Sequence, residues 1–402
     1  MSEKVYIVGA KRTPIGAFGG RLAGIPAAHL GAAALKGALE QSGLGREDVD
    51  ETVMGNILTA GQGMGPARQA SIYAGIPEEK PAYAVNMLCA SGMKALMNGA
   101  AAIRSGDAEV VASGGMENMS SAPWLLPSQA RTGMRPGNQT LQDHMILDGL
   151  TDVFNDYHMG ITAENIAEKY NLSREEQDRF ALASQKKTAV AMAENRFGEE
   201  IVAVTAKIRR KEVVVDRDEF PRPETTLESL GKLRPAFRSD GTVTAGNSSG
   251  INDGGSALIL AGETTVREKG LTPLAEIVSW AQAGLDPAYM GLGPVPAVRR
   301  VLEKAGLALT DMELLELNEA FAAQSLGVLR GLREEHGVSP EWLNERVNVN
   351  GGAIALGHPI GASGSRIIVT LLYEMMRRSS RLGLASLCVG GGMGTAVILK
   401  KV

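Results

Sequence analysis

The chain is organised around one stretch, Asn86-Met87-Leu88-Cys89-Ala90-Ser91-Gly92-Met93-Lys94. An extended run at 81–85 precedes it, and apolar residues at helical spacing follow it as far as Gly106, which predicts a strand that turns into a helix at Cys89. The start of a helix favours a thiolate because it carries partial positive charge and free amides. The small residues at 91 and 92 predict that a substrate can approach the sulfur closely. The stretch therefore predicts a nucleophilic cysteine, and the alternative is a free cysteine that only packs as a small hydrophobe.

Composition narrows the class of protein. The chain has 402 residues, with 41 Lys and Arg against 45 Asp and Glu, and this mild negative balance argues against nucleic acid as a partner. Its two cysteines are too few for a disulfide framework and indicate a reducing compartment. The first residues lack the apolar core of a signal peptide, and no apolar run reaches membrane-spanning length. We expect a cytoplasmic protein without a membrane partner.

The order of predicted elements indicates an α/β fold with an insertion. Strands and helices alternate over 4–118 and again from residue 271, which predicts a mainly parallel sheet. The residues between differ in character, and their one clear helix is predicted from a capping box at Ser173 to Gly198. We expect a first half made of residues 1–118 plus 249–270, an inserted loop domain of residues 119–248, and a second half of residues 271–402.

The second half repeats the first. Residues 39–44, Leu-Glu-Gln-Ser-Gly-Leu, match residues 302–307, Leu-Glu-Lys-Ala-Gly-Leu, at four of six positions, and Asp48 then falls on Asp311. Residues 110–116 likewise resemble residues 387–393. A period this long indicates a duplicated domain. Two similar halves create a shared crevice, which is a common place for a site.

Three further segments carry residues suited to the chemistry of a nucleophilic cysteine. His358 lies among glycines and small apolar residues in the segment 350–361, where it can act as a general base for a thiol. Cys388 ends an apolar run, and the glycines after it can turn their amides toward an oxyanion. Asn318 can donate a hydrogen bond from its amide. The alternatives are that His358 only packs in the core, that the glycines after Cys388 only form a tight turn, and that Asn318 only caps a turn.

One segment predicts a different chemistry. Residues 246–250, Gly-Asn-Ser-Ser-Gly, fit the G-x-S-x-G turn of a serine hydrolase. No β-branched strand precedes them and a turn follows them, which argues against that reading. The motifs of zinc and nucleotide-hydrolysis sites are missing from the sequence, so no metal is expected.

Together, the segments around Cys89, Asn318, His358 and Cys388 resemble the thiolase family over the whole chain from Tyr6 to Leu399, in particular its biosynthetic, short-chain branch. The resemblance implies a reversible Claisen condensation of two acetyl-CoA to acetoacetyl-CoA and CoA, with an acetyl-cysteine intermediate and ping-pong kinetics. The alternative within the family is a degradative 3-ketoacyl-CoA thiolase of broader chain length. A non-catalytic protein on the same fold is expected to have lost at least one of these four residues.

The resemblance also implies a role for each residue. Cys89 is the acylated nucleophile, His358 activates it, and Cys388 removes or returns the proton of the second acetyl group. Asn318 holds a water that stabilises the enolate together with the histidine. The amides of Cys89 and Gly390 form the second oxyanion hole.

The remaining implications concern the substrate and the assembly. The resemblance implies two α/β halves in αβαβα layers with a loop domain over coenzyme A, CoA thioesters as substrates without a cofactor, and a homo-oligomer that is a dimer or tetramer. It assigns CoA contacts to Arg222 and Ser249. The pantetheine tunnel and the acyl pocket are assigned to Leu150, His158, Met159, Ala236, Phe237, Ala245, Gly246, Met290, Ala320 and Phe321.

Overall fold

The computed structural model of the chain describes residues 3–402. Its strands are β1 Val5–Arg12, β2 Gly16–Ala17, β3 Glu51–Gly55, β4 Ala82–Val85, β5 Val110–Asn118, β6 Trp124–Leu125, β7 Gln142–Asp143, β8 Thr151–Asp152, β9 Tyr157–His158, β10 Val204–Ile208, β11 Lys211–Val215, β12 Asn252–Gly262, β13 Ala275–Gly284, β14 Leu314–Leu317, β15 Leu382–Val389 and β16 Met393–Lys401. Its helices are α1 Ala27–Ser42, α2 Pro66–Ala74, α3 Ser91–Ser105, α4 Met159–Tyr170, α5 Arg174–Ala193, α6 Leu227–Gly231, α7 Glu263–Glu268, α8 Pro294–Ala305, α9 Ala322–His336, α10 Pro340–Arg346, α11 Ala353–Leu356 and α12 Ile360–Arg378.

The main sheet is mixed, so the prediction of a mainly parallel sheet is wrong. Its order is β14-β15-β16-β13-β1-β12-β5-β3-β4, and β2 pairs with β12. The outer pairs β14–β15, β5–β3 and β3–β4 are parallel, whereas the five pairs between β15 and β5 are antiparallel. Parallel neighbours need a crossover connection. β16 instead follows β15 through a tight turn, and β12 returns beside β5 directly from the insertion.

Helices and sheet form five layers. The sheet halves are joined by a short β1–β13 ladder of two residue pairs, and they face each other across α3 and α12. α1 and α2 cover the outside of the first half, while α8 and α9 cover the second. Fully buried side chains from α3, α12 and both sheet halves meet in the central core, including Leu96, Ile368, Val111 and Leu387. The αβαβα arrangement confirms the predicted fold class.

The two halves share local detail as well as strand order. The order β3-β5-β12-β1 in the first half repeats as β14-β15-β16-β13 in the second, and β1 and β13 each carry one bulge. α1 and α8 both end at a left-handed glycine, Gly43 (φ 75°) and Gly306 (φ 66°). Asp48 then accepts the backbone N–H of residue 45 (2.9 Å), and Asp311 accepts that of residue 308 (2.8 Å). The aligned residues of the repeat therefore occupy the same turn in each half.

The insertion, residues 119–248, holds more helix than the sequence predicts. The capping box between Ser173 and Glu176 is present, but α5 ends at Ala193 rather than Gly198. α4 is a helix that the pattern did not reveal; it begins directly after His158, and its last turn ends at a left-handed Asn171 (φ 52°). α4 and α5 pack against α9 of the second half. None of the helices within residues 3–402 has the length and apolar character needed to cross a membrane.

A buried ion network fastens the insertion to the first half. Arg12, at the end of β1, donates from Nε to Glu200 (2.6 Å) and from Nη1 and Nη2 to the two oxygens of Asp218 (2.7 and 2.9 Å). All three side chains are buried. Glu200 and Asp218 both belong to the insertion, so Arg12 holds two separate points of it.

We expect Arg12→Ala to lower the free energy of unfolding by about 3–5 kcal/mol, because two buried carboxylates lose their cation. The matched control is Arg21→Ala, because the Arg21 side chain is 59% exposed and lies 3.8 Å from Glu219; there a change of about 0–1 kcal/mol is expected. Urea denaturation of both variants measures the difference. Equal unfolding midpoints would show that the network does not hold the insertion.

Candidate active site

Cys89 lies in a tight turn between β4 and α3. Leu88 has a left-handed backbone (φ 47°), which is unusual for a branched side chain. The Met87 N–H donates to Ser91 Oγ (2.9 Å), and the Ser91 hydroxyl donates to the Leu88 carbonyl (2.7 Å). Ser91 is fully buried. The serine therefore stabilises the strained turn that presents Cys89.

Gly92 has a packing role between two helices. A Cβ at this position would lie 2.5 Å from Ser365 Oγ and 2.8 Å from the Ser365 backbone nitrogen. The glycine thus allows close approach of α3 and α12, whose first turns lie side by side. As a result Cys89, just before α3, packs in one cluster with Ile360, the first residue of α12, and His358 lies just ahead of that helix.

His358 is held so that one ring nitrogen stays free. It follows Gly357, which has a left-handed backbone (φ 105°), and its backbone N–H donates to Asn252 Oδ1 (2.9 Å). The Ser363 hydroxyl donates to the Pro359 carbonyl (3.0 Å), so at 2.5 Å from His358 Nδ1 it accepts the proton of that nitrogen. Nε2 is buried without a partner in the described part of the chain. A neutral imidazole with a free Nε2 lone pair is suited to act as a general base.

The resting site holds a neutral thiol and a neutral imidazole. Burial raises the pKa of Cys89 to about 11 against the opposing effect of the Gly390 and Cys89 amides, and the Glu117 carboxylate raises it further. Burial lowers the pKa of His358 to about 3, and the charge of Arg366 adds to this. The expectation that the helix start makes Cys89 a thiolate is wrong for this state, because removal from water outweighs the amides.

A glycine turn connects the two cysteines. Cys388 is buried near the end of β15, and its thiol pKa is raised by burial and then by the charge of Cys89, which places the two thiols close together. Gly391 and Gly392 have left-handed backbones (φ 77° and 81°) that turn the chain into β16. The Gly390 N–H is directed at the Cys89 sulfur. This arrangement supplies amide donors at the atom that becomes acylated.

Asn318 offers both a donor and an acceptor to the site. Its backbone N–H donates to the Ser386 carbonyl (3.0 Å), which sets it beside the strand of Cys388. Its side chain is buried, and neither polar atom has a partner among residues 3–402. The neighbouring Glu319 accepts hydrogen bonds from Ser184 Oγ (2.6 Å) and Asn348 Nδ2 (2.9 Å), so this segment is anchored to α5 of the insertion.

An apolar cluster surrounds Cys388 and includes five of the ten residues predicted for the pantetheine tunnel and the acyl pocket. The His158 ring stacks on Phe237 (4.6 Å), and Phe237 meets the edge of Phe321 (6.1 Å). Burial lowers the pKa of His158, and its Nδ1 accepts the Gly160 N–H (3.0 Å) as the cap of α4. The acyl cluster consists of Cys388, Met159, Ala163, Ala167, Val243, Met290, Ala320, Phe321 and Ala323, with Leu172 and Phe237 against it.

The other predicted contacts lie in two places. Leu150, at the end of a π-helical turn over Met145–Leu150, packs on the Cys89 side of the site rather than in the acyl cluster. The Ser249 N–H donates to the Ala320 carbonyl (2.9 Å), and the Ala236 N–H donates to the Val243 carbonyl (2.9 Å). A groove of about 300 Å³ on the insertion is lined by Arg222, Ala245 and Gly246 together with Gln185, Phe220, Glu224, Thr225, Ser229, Leu230, Leu233 and Ile354.

Two residues that orient His358 escaped the sequence reasoning. Ser363 lies one turn into the helix that starts beside the histidine, and this spacing is the signal that could have revealed it. Asn252 is 106 residues away along the chain, and no local pattern connects the two.

The structure argues against the hydrolase reading. The Ser248 hydroxyl is buried and donates to the Thr244 carbonyl (2.7 Å), so it is not presented at an exposed elbow. Within residues 3–402, His, Cys, Asp and Glu side chains form no group of three that could hold a metal ion.

Two facing α/β halves with an inserted segment, and two thiols, an imidazole and a buried amide gathered at one end of the central helices, are the features of a thiolase. The chain belongs to the thiolase family. The family description "Thiolase, N-terminal domain" matches residues 5–264, and "Thiolase, C-terminal domain" matches residues 271–401.

Its relatives are similar along the full length. An acetyl-CoA acetyltransferase of Pseudomonas aeruginosa is 56% identical over 400 residues, which cover 99% of this chain and 100% of that protein. The solved acetyl-CoA acetyltransferase from Syntrophomonas wolfei superposes with a TM-score of 0.96 at 41% identity, with both chains fully covered. Human mitochondrial 3-ketoacyl-CoA thiolase gives a TM-score of 0.94 at 43% identity, covering 100% of this chain and 99% of that chain. The family predicted from the sequence is confirmed.

Proposed function

We propose that this chain is an acetyl-CoA acetyltransferase, which condenses two acetyl-CoA reversibly to acetoacetyl-CoA and CoA. The observation that carries the proposal is the pair of thiols, Cys89 in a strained turn at a helix start and Cys388 on the facing strand, with the Gly390 amide directed at the Cys89 sulfur. The 56% identity to an acetyl-CoA acetyltransferase supports the choice of substrate.

The first half-reaction transfers an acetyl group to Cys89. The sulfur attacks the thioester carbon while Nε2 of His358 takes the thiol proton. The carbon–sulfur bond to CoA then breaks, and the histidine gives the proton to the leaving CoA thiolate. Amides of Cys89 and Gly390 stabilise the oxyanion on the acyl group bound to Cys89. Because CoA leaves before the second substrate binds, ping-pong kinetics are expected.

The second half-reaction forms the carbon–carbon bond. The Cys388 thiol first passes its proton to Nε2 of His358, and the resulting thiolate, a strong base because its pKa is raised, removes a methyl proton from the second acetyl-CoA. The protonated Nε2 of His358 and the amide of Asn318 stabilise the enolate oxygen. The enolate carbon attacks the acetyl group, the bond to Cys89 breaks, Cys388 passes the methyl proton to the departing Cys89 thiolate, and His358 returns its proton to Cys388. The apolar cluster around Cys388 keeps water from the acyl-enzyme.

The acyl cluster predicts short substrates. The His158 ring stacks on Phe237 beside this cluster, Phe237 meets the edge of Phe321, and Met159 and Met290 are buried within it, so a long acyl chain meets packed side chains. We expect thiolysis of acetoacetyl-CoA to exceed that of 3-ketodecanoyl-CoA by about 100-fold or more in kcat/KM.

A thiolysis assay across acyl chain lengths measures this, and Met290→Ala is the matched variant, expected to raise relative activity on the longer substrate. Equal cleavage of both substrates by the unmodified enzyme would favour the degradative 3-ketoacyl-CoA thiolase instead. That alternative has support from the similarity to the human mitochondrial enzyme.

The proposal extends to the setting of the enzyme. Its substrates and products are CoA thioesters and CoA, and no step uses a cofactor. Two free cysteines at the site suit a reducing, cytoplasmic environment. A homo-oligomer, dimer or tetramer, is supported by large apolar side chains that are exposed on the chain alone, including Trp124 (63%), Val153 (79%) and Phe154 (70%). Light scattering of the purified protein measures the assembly.

A further inference from the structure

Glu117 places a buried carboxylate between the two halves of the site. It lies near the end of β5 and is fully buried. Its oxygens accept four hydrogen bonds, from Asn56 Nδ2 (2.8 Å) and from the backbone N–H groups of Ile57 (3.0 Å), Leu58 (3.2 Å) and Gly361 (3.1 Å). Three donors come from the first half of the chain and one comes from the start of α12.

The four N–H groups around Glu117 require a side chain that only accepts hydrogen bonds. A carboxylate has two oxygens and no hydrogen, so it satisfies all four N–H groups at once. A glutamine at this position would place its own N–H₂ group against some of these N–H donors, and no hydrogen bond forms between two donors. In the described residues Glu117 has no Lys, Arg or His nitrogen within 4.0 Å, so hydrogen bonds rather than a cation stabilise it. A Cβ at residue 361 would lie 2.6 Å from Glu117 Oε2, which explains the glycine there.

The carboxylate connects the nucleophile to its base. Ile57 and Leu58 pack in the same cluster as Cys89 and Ile360, while Gly361 follows His358 by three residues. Cys89 and His358 are 269 positions apart in the sequence, and Glu117 joins the wall beside the first to the helix start beside the second. Burial raises the pKa of Glu117 to about 7, and its four hydrogen bonds oppose that effect, so the side chain is a carboxylate above this pH.

We propose that Glu117 is a positioning residue for acyl transfer, which sets the spacing between Cys89 and His358 through the four hydrogen bonds it accepts. The inference rests on the proposed function, since it assumes Cys89 as the acylated residue.

The test compares two substitutions with a matched control. Glu117→Gln removes the charge and sets N–H₂ against donors, whereas Glu117→Asp keeps the charge but is too short to reach both loops. The control is Glu374→Gln, which neutralises another buried carboxylate, at the end of α12 that is far from His358. Each variant is first checked by circular dichroism and thermal melting. Two quantities are then measured: the single-turnover rate of acetylation by acetyl-CoA, and the KM for acetyl-CoA.

For Glu117→Gln we expect acetylation to slow by about 100-fold through misplacement of the pair, with the KM for acetyl-CoA unchanged. Glu117→Asp should slow acetylation in the same way, because the shorter side chain does not reach both loops. Glu374→Gln should change neither quantity. Folded Glu117→Gln that acetylates within about threefold of wild type, or whose loss lies in KM rather than in the acetylation rate, overturns the inference.

If Glu117→Gln does not fold, the aspartate variant decides, and acetylation within about threefold of wild type again overturns the role. The unmodified enzyme separates this inference from the proposed function. Absence of acetyl-Cys89 in the wild type contradicts the proposed function itself, whereas a normally acetylated wild type with an unaffected Glu117→Gln contradicts only the role of Glu117.

Discussion

Replacement of Cys89 by alanine is expected to remove the acetyl-enzyme and to lower condensation and thiolysis by a factor of about 10⁴ or more. The residue supplies the sulfur that holds the acetyl group between the two half-reactions. Its turn is shaped for this task by Leu88 in a left-handed conformation and by the Ser91 hydroxyl.

The measurement is direct. The enzyme is incubated with acetyl-CoA, quenched in acid and digested, and the peptides are mapped by mass. We expect the added acetyl group on the peptide that contains Cys89 and on no other. Cys89→Ala gives the baseline, and its melting temperature should remain close to that of the wild type. An acetyl group found on another residue, or on none, would contradict the assignment of the nucleophile.

The second large effect separates the two half-reactions. Cys388→Ala should still acetylate Cys89 from acetyl-CoA but should fail to condense, because no base reaches the methyl group of the second substrate. It should also fail to exchange deuterium into that methyl group. His358→Ala should slow acetylation itself, because the Cys89 thiol loses the free Nε2 that takes its proton. Each loss should be about 10²–10⁴-fold, as for other general acid–base roles.

The yield of acetyl-enzyme under single turnover is measured in Cys388→Ala and in His358→Ala, and it distinguishes the role of Cys388 from that of His358. If Cys388→Ala folds normally yet blocks acetylation as severely as Cys89→Ala, the division of labour between the thiols is mistaken. The pH profile adds a second criterion. Since burial lowers the pKa of His358 to about 3, the imidazole remains an unprotonated base, and acetylation by the wild type should not fall between about pH 8 and about pH 5 through its titration.

The sequence predicted the fold closely where the signals are local. The helix end at Gly43 and the acidic turn at Asp48 recur at Gly306 and Asp311, and both pairs occupy equivalent places in the structure. Strand directions were not predictable in this way. A β-strand has the same alternation in either direction, and the antiparallel centre of the sheet depends on where β12 and β16 return to it.

The sequence by itself determined the family and the residue types at the site, because Cys89, Asn318, His358 and Cys388 each lie in a distinctive run of small and apolar residues. Which groups those residues meet was decided only by the tertiary structure. Burial among packed helices makes the thiol and imidazole neutral, and the partners that orient them come from distant strands and turns. Local spacing in the sequence carries no information about such partners. The thiol and the imidazole leave water, and the distant partners reach them, only when the two halves pack against each other.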